Sequence, residues 1–212
     1  MPLLKQYELS GVRVLVWKMT ETLEVLQGMV SSSLVAQACE EFASEKRRVE
    51  WLAVRALLSN CLGVDACVVY DAAGKPSLEG FDGEISISHT GGYVAVALST
   101  CGSVGVDIEL LSRNVMPVAS RFMSVDSLET LQPDERNFVA LVHWCAKEAL
   151  YKIVGNLGGN FKDNISVGAF QPSCEGRVPL ALVGLGNVGE DSFIADYSVL
   201  GDLLVVLCRK AV

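Results

Sequence analysis

The first half of the chain opens its hydrophobic pattern with an alternating run, Val12-Arg13-Val14-Leu15-Val16-Trp17, which has the period of a strand. Residues 31 to 60 then read as helix, with Leu52, Leu57, Leu58 and Cys61 on an apolar face. Extended segments follow at Val68-Val69-Tyr70, Ile85-Ser86-Ile87-Ser88 and Tyr93-Val94-Ala95-Val96-Ala97-Leu98, separated by Gly74-Lys75-Pro76 and Gly91-Gly92 turns. From Ser103 a comparable order returns. A strand is expected from Val104 to Glu109, helices near 124–132 and 135–154, and extended runs over 164–170, 178–183 and 193–208. No residue-level repeat underlies this echo, so it is one of element order alone. The pattern predicts an α+β fold of two similar α/β halves, residues 1–102 and 103–212.

Composition narrows the classes open to such a chain. Half of its 212 residues are hydrophobic, enough to bury a sizeable core. No run approaches the roughly 20 apolar residues of a membrane helix. The start, Met1-Pro2-Leu3-Leu4-Lys5, lacks the apolar segment of a signal peptide, so a cytoplasmic protein without a membrane association is expected. Seven scattered cysteines without a C-x-x-C pair argue against a disulfide framework or a zinc site, and most of them read as small buried hydrophobes. The net charge of −8, with no basic arm, argues against nucleic-acid binding. An anionic ligand must therefore meet a local cationic pocket.

Candidate chemistry lies in two segments. In Gly105-Val106-Asp107-Ile108-Glu109 the strand period puts Val104, Val106 and Ile108 on one face and Asp107 and Glu109 together on the other. Adjacent carboxylates repel unless a cation stands between them, and magnesium suits a site of few carboxylates with room for phosphate oxygens. The plainer alternative is an exposed strand face. In Trp144-Cys145-Ala146-Lys147-Glu148-Ala149-Leu150-Tyr151-Lys152, Trp144, Glu148 and Lys152 form one i, i+4 stripe. Its plainer alternative is an ordinary helix salt bridge, worth about 0.2–0.5 kcal/mol.

Taken together, these segments resemble the signature of 4′-phosphopantetheinyl transferases. Gly74-Lys75-Pro76, Ile85-Ser86-Ile87-Ser88-His89-Thr90-Gly91 and Arg121-Phe122-Met123-Ser124 resemble that family's Gly-Lys-Pro, Ile-Ser-His-Ser and Arg-Phe-Phe-Ser segments. Five motifs thus stand in family order between residues 74 and 152, with Thr90 and Met123 replacing a serine and a phenylalanine. Length and doubling are similar to the surfactin-synthetase-activating class, which implies a monomer whose halves pack as a pseudo-dimer.

The resemblance implies transfer of phosphopantetheine from coenzyme A to a serine of an apo acyl or peptidyl carrier protein. It makes Asp107, Glu109 and Glu148 ligands of Mg2+, for which Mn2+ can substitute, and Glu148 the base that takes the serine proton. Asp107 and Lys152 complete the catalytic set. Lys152 meets the phosphates of coenzyme A, while Lys75 and His89 surround its 3′-phosphate, Lys46 or Arg47 adds to that pocket, and Pro76 and Ser88 are further coenzyme A-binding residues. The N-terminal half then carries the nucleotide side and the C-terminal half the metal strand and catalytic helix. Arg113 and Arg121 are candidates for docking an acidic carrier.

Without the motif, His89 would read as a hydrogen-bonded strand-end residue, and His143, off the Trp144 stripe, reads as a packing or surface residue. Gly184-Leu185-Gly186-Asn187-Val188-Gly189 spells a dinucleotide fingerprint, yet a strand rather than a helix is expected after it; a glycine-rich hairpin loop fits better, as a plain loop does for Gly158-Gly159. Two other functions are open. One is a protein that binds coenzyme A or a carrier without catalysis; the other is a magnesium-dependent coenzyme A hydrolase using water as nucleophile.

Overall fold

The computed structural model describes residues 3–63, 65–155, 161–183 and 192–211. The Gly184–Gly189 and Gly158-Gly159 loops lie outside these residues. The chain divides into two compact units, Met1–Cys101 and Gly102–Val212, and is α+β throughout.

The first unit runs β1 (Leu3–Leu9), β2 (Val12–Lys18), α1 (Leu23–Gln27), α2 (Ser32–Glu41), α3 (Glu45–Leu62), β3 (Val68–Tyr70), β4 (Pro76–Leu78), β5 (Glu84–Thr90) and β6 (Tyr93–Ser99). Four strands form an antiparallel sheet in the order β1-β2-β6-β5, and β3 and β4 pair separately. Leu15, Trp17, Val94 and Val96 of the sheet pack with Leu52, Leu57 and Leu58 of α3.

The helix expected over 31–60 is two helices. Phe42 takes extended backbone angles, and Arg48 bridges the break, its Nε donating to the Phe42 carbonyl at 2.7 Å and its Nη2 to the Ala43 carbonyl at 3.0 Å. Carbonyls that a continuous helix would satisfy are met by this side chain instead. Phe42 then packs on Trp51 at 6.3 Å between ring centroids.

The second unit runs β7 (Val104–Leu110), a 3₁₀ turn (Met116–Arg121), α4 (Val125–Glu129), α5 (Arg136–Val154), α6 (Phe161–Asn164), β8 (Ile165–Val167), β9 (Glu175–Leu182), β10 (Ser192–Leu200) and β11 (Leu203–Lys210). Its sheet has the order β7-β11-β10-β9-β8, so β7 is an edge strand. The extended run expected over 193–208 is a hairpin, turning at Gly201 with φ +65°. The units share a connection pattern: an early strand, a long helix, and a final strand lying antiparallel beside the early one, β6 beside β2 and β11 beside β7.

Helix α5 packs on β7 and β11, burying Leu141, Cys145, Ala146, Ala149 and Leu150 against Leu204, Val206 and Cys208. Only Cys145 and Cys208 of the seven cysteines are buried, which corrects the expectation that most would be. Cys61 is half-buried against the core of the first unit, and Cys39, Cys67, Cys101 and Cys174 are exposed. Gly105 sets the depth of the helix: a Cβ there would stand 1.8 Å from the Ala149 carbonyl oxygen and 2.8 Å from its carbon. Both atoms are backbone and cannot move aside without shifting α5. We expect Gly105→Ala to lose at least the 1–3 kcal/mol typical, to order of magnitude, of overpacking, measured as a fall in the urea midpoint. An unchanged midpoint would show that the helix yields freely.

Candidate functional site

Asp107 and Glu109 share the face of Gly105 and so point under α5, where they are 6% and 7% exposed. Carboxylates that deep must be paired. Lys152, in the last turn of α5, donates from Nζ to the Val106 carbonyl at 2.7 Å and to Asp107 Oδ1 at 2.9 Å. Trp144, two turns earlier on the same stripe, donates from Nε1 to Glu109 Oε1 at 3.4 Å. Arg113 forms an ion pair with Glu109 and lies 5.3 Å above the Trp144 ring.

Glu148 stands between Trp144 and Lys152. Burial pushes its carboxyl above the usual range, the charge of Asp107 pushes it further, and Lys152 and Arg113 oppose the rise. Cys145 is shifted well up by burial and by Asp107. The stripe read from sequence therefore meets the strand carboxylates as one cluster of Asp107, Glu109, Trp144, Glu148 and Lys152. Sequence reasoning missed Gly105 and Arg113 as parts of it. The signal for Gly105 was a glycine at the period-2 position before Asp107; Arg113 follows the end of β7, where spacing gives no signal.

The remaining candidates belong to the first unit. Glu50 of α3 gathers three of them: Lys46 Nζ at 3.9 Å, Arg47 Nη1 at 3.4 Å and His89 Nδ1 at 3.9 Å. The helix spacing of Lys46, Arg47 and Glu50 was legible; the approach of His89 from β5 was not. Lys75 instead pairs with Glu84 Oε2 at 2.7 Å. Glu84 opens β5 and His89 nearly closes it, so their Cα atoms are roughly 16 Å apart. Pro76 begins β4 after a turn in which Asp71 Oδ1 accepts from the Ala73 and Lys75 amides, each at 2.8 Å. Ser88 is buried in β5.

A second feature of α5 faces the other way round its axis. His143 and Lys147, with Phe122, Ser124, Lys162 and Ser166, line a cavity of about 310 Å³. Lys147 is 3% exposed, and its amine, which donates to the Lys162 carbonyl at 3.2 Å, is lowered to about 8 chiefly by burial. Phe122 meets Trp144 edge-on at 5.3 Å between centroids, so this aromatic pair separates the cavity from the carboxylate cluster.

Among the described residues, no three His, Cys, Asp or Glu side chains are arranged to hold a metal ion. The donor chemistry nevertheless suits a hard divalent cation. Asp107, Glu109 and Glu148 offer oxygen alone, and the Glu148 carboxyl, raised first by burial and then by the charge of Asp107, is one that a cation would stabilise in its ionised form.

Comparison with known proteins decides the family. A family model described as the 4′-phosphopantetheinyl transferase superfamily matches residues 103–188. The 4′-phosphopantetheinyl transferase AcpT of Salmonella typhimurium is 32% identical over 152 residues, covering 69% of this chain and 76% of that protein. The chain belongs to the 4′-phosphopantetheinyl transferase superfamily. AcpT of Escherichia coli K12 is 33% identical over 122 residues, 53% of this chain and 61% of its own length. The transferase psf-1 of Bacillus pumilus is 37% identical over 73 residues, 33% and 31% of the two chains. The superfamily match takes in the carboxylate strand, the Arg-Phe-Met-Ser segment and the Trp-Lys-Glu stripe together. Among the described residues, no helix is long and apolar enough to cross a membrane.

His143 packs on Phe170 at 5.9 Å, and burial, followed by the Lys147 charge, lowers it from 6.5 to about 4. Its folded value is depressed, so its contribution to stability is complete above pH 6.5 and declines as pH falls toward about 4. A His143→Phe variant is expected to show a flatter loss of stability across that window in urea titrations at stepped pH. Parallel curves would place the acid sensitivity elsewhere.

Proposed function

We propose that the chain transfers the 4′-phosphopantetheine group of coenzyme A to a serine of an apo acyl or peptidyl carrier protein, releasing adenosine 3′,5′-bisphosphate. The observation that carries this is the meeting of the strand carboxylates Asp107 and Glu109 with Trp144 and Lys152 of α5, in a member of the superfamily. The serine oxygen forms a bond to the phosphorus that bears pantetheine. The bond from that phosphorus to the bridging pyrophosphate oxygen breaks, and the electron pair leaves with the adenosine bisphosphate. Glu148 takes the serine proton, directly or through water. A carboxyl raised by burial is a better base than an ordinary one, because proton transfer is favoured as its pKa moves toward that of the group it serves. Lys152 offers a compact positive charge to the phosphates, and Asp107 orients it by the 2.9 Å hydrogen bond.

Asp107, Glu109 and Glu148 are the residues to hold Mg2+, or Mn2+ in its place. The ion supplies neutralisation of charge on the pyrophosphate when bound. In the first unit Lys46, Arg47 and His89, already drawn together at Glu50, are the set for the adenosine 3′-phosphate, while Lys75 and Pro76 at the start of β4 and Ser88 of β5 are assigned to coenzyme A away from that phosphate. Two similar halves in one cytoplasmic monomer complete the proposal; the shared connection pattern of β2–β6 and β7–β11 supports the likeness of the halves.

The test is intact-mass spectrometry of an apo carrier protein incubated with the protein, coenzyme A and magnesium. A gain of one phosphopantetheine is expected. Glu148→Gln should slow it roughly 10²- to 10⁴-fold, the range for losing a general base, and EDTA should abolish it. Release of adenosine bisphosphate without any gain by the carrier would instead identify a hydrolase.

A further inference from the structure

Both strand carboxylates of the cluster carry a cation that belongs to the chain itself. Asp107 has Lys152, and Glu109 has Arg113. Lys152 is the cation the transfer reaction uses on phosphate. Arg113 has no such part, yet it is placed with care. Asn137 of α5 grips its loop on both sides, accepting from the Val115 amide at 3.0 Å and donating from Nδ2 to the Arg113 carbonyl at 2.9 Å. The Arg113 amide itself donates to the Leu110 carbonyl at 2.9 Å. With the backbone held, the guanidinium rests over Trp144, whose own Nε1 is directed at the same Glu109 oxygen that Arg113 meets.

The burial of the two partners differs. The Glu109 side chain is 9% exposed, while that of Arg113 is 44% exposed. Glu109 cannot turn away to water, whereas Arg113 can leave it by a change of side-chain rotamer. A guanidinium has no acceptor and keeps its charge at any relevant pH, so it cannot share Glu109 with another cation by giving up a proton.

We propose that Arg113 is a resident counter-cation of Glu109 which a divalent ion must displace in order to bind, so that Arg113 sets the metal affinity of the protein. The proposal rests on the metal reading given above. Two of the cluster's three carboxylates, Asp107 and Glu109, are thus paired with the chain's own cations. Metal binding then exchanges the Arg113 contact for an ion and releases the guanidinium from Glu109 toward solvent. The aromatic face of Trp144 keeps it close enough to return when the ion departs.

The test is direct titration of Mn2+ followed by the loss of the free-ion electron paramagnetic resonance signal, with coenzyme A absent and then present, so that activity is not the readout. Removing an ion pair to a buried carboxylate, together with a like charge beside the incoming ion, should tighten Mn2+ binding by Arg113→Gln roughly three- to tenfold. Arg113→Lys keeps the charge and should stay near wild type, which guards against a change caused by altered packing alone. Glu109→Gln should weaken binding. Equal or weaker binding by Arg113→Gln overturns the proposal, as does binding that ignores Glu109→Gln. If neither wild type nor any variant binds Mn2+, even with coenzyme A, the metal reading itself falls and takes this proposal with it.

Discussion

Where the Ala149 carbonyl of α5 comes down onto Gly105, the two backbones are nearer than any side chain at position 105 would permit. The arrangement of the second unit follows from that contact. Residues two and four further along β7 share the face of Gly105, so Asp107 and Glu109 are carried beneath the helix into a place water reaches poorly. Ionised groups there are tolerated only with close partners. Lys152, Trp144 and Arg113 are those partners, and the first two are within reach because the helix lies so close.

One helix therefore serves three environments. Cys145, Ala149 and Leu150 belong to the core, Trp144, Glu148 and Lys152 to the carboxylates, and His143 and Lys147 to the cavity. The shifts of its titratable groups follow this division. Glu148 is raised by burial and a neighbouring negative charge; Lys147 and His143 are lowered mainly because burial disfavours their charged forms. No single residue type explains these directions, but its place on the helix circumference does.

Much of this was legible in the sequence wherever a strict period was at work. The period of two in β7 paired Asp107 with Glu109, and the i, i+4 spacing in α5 aligned Trp144, Glu148 and Lys152. What escaped depends on partners distant in the chain, or on turns that carry weak marks. The break at Phe42 to Ser44 has no glycine or proline and is held by Arg48, a side chain that an uninterrupted helix would equally accommodate. Gly201-Asp202 is itself a two-residue hairpin signal, but the apolar runs on either side of it read as continuous, so β10 and β11 merged into one run. Arg113 and His89 each found a glutamate through loop or sheet geometry, for which helix or strand spacing holds no rule.

The carboxylates also stand on the outermost strand of their own sheet. A strand in that position presents a line of backbone groups on one side that another polypeptide can zip onto, a common start of aggregation. Buried charge along such a strand discourages an apolar intruder, and Lys152 already occupies the Val106 carbonyl from the helix above. With residues 104–109 buried as well, that line of backbone groups is shielded within the fold rather than offered to another chain.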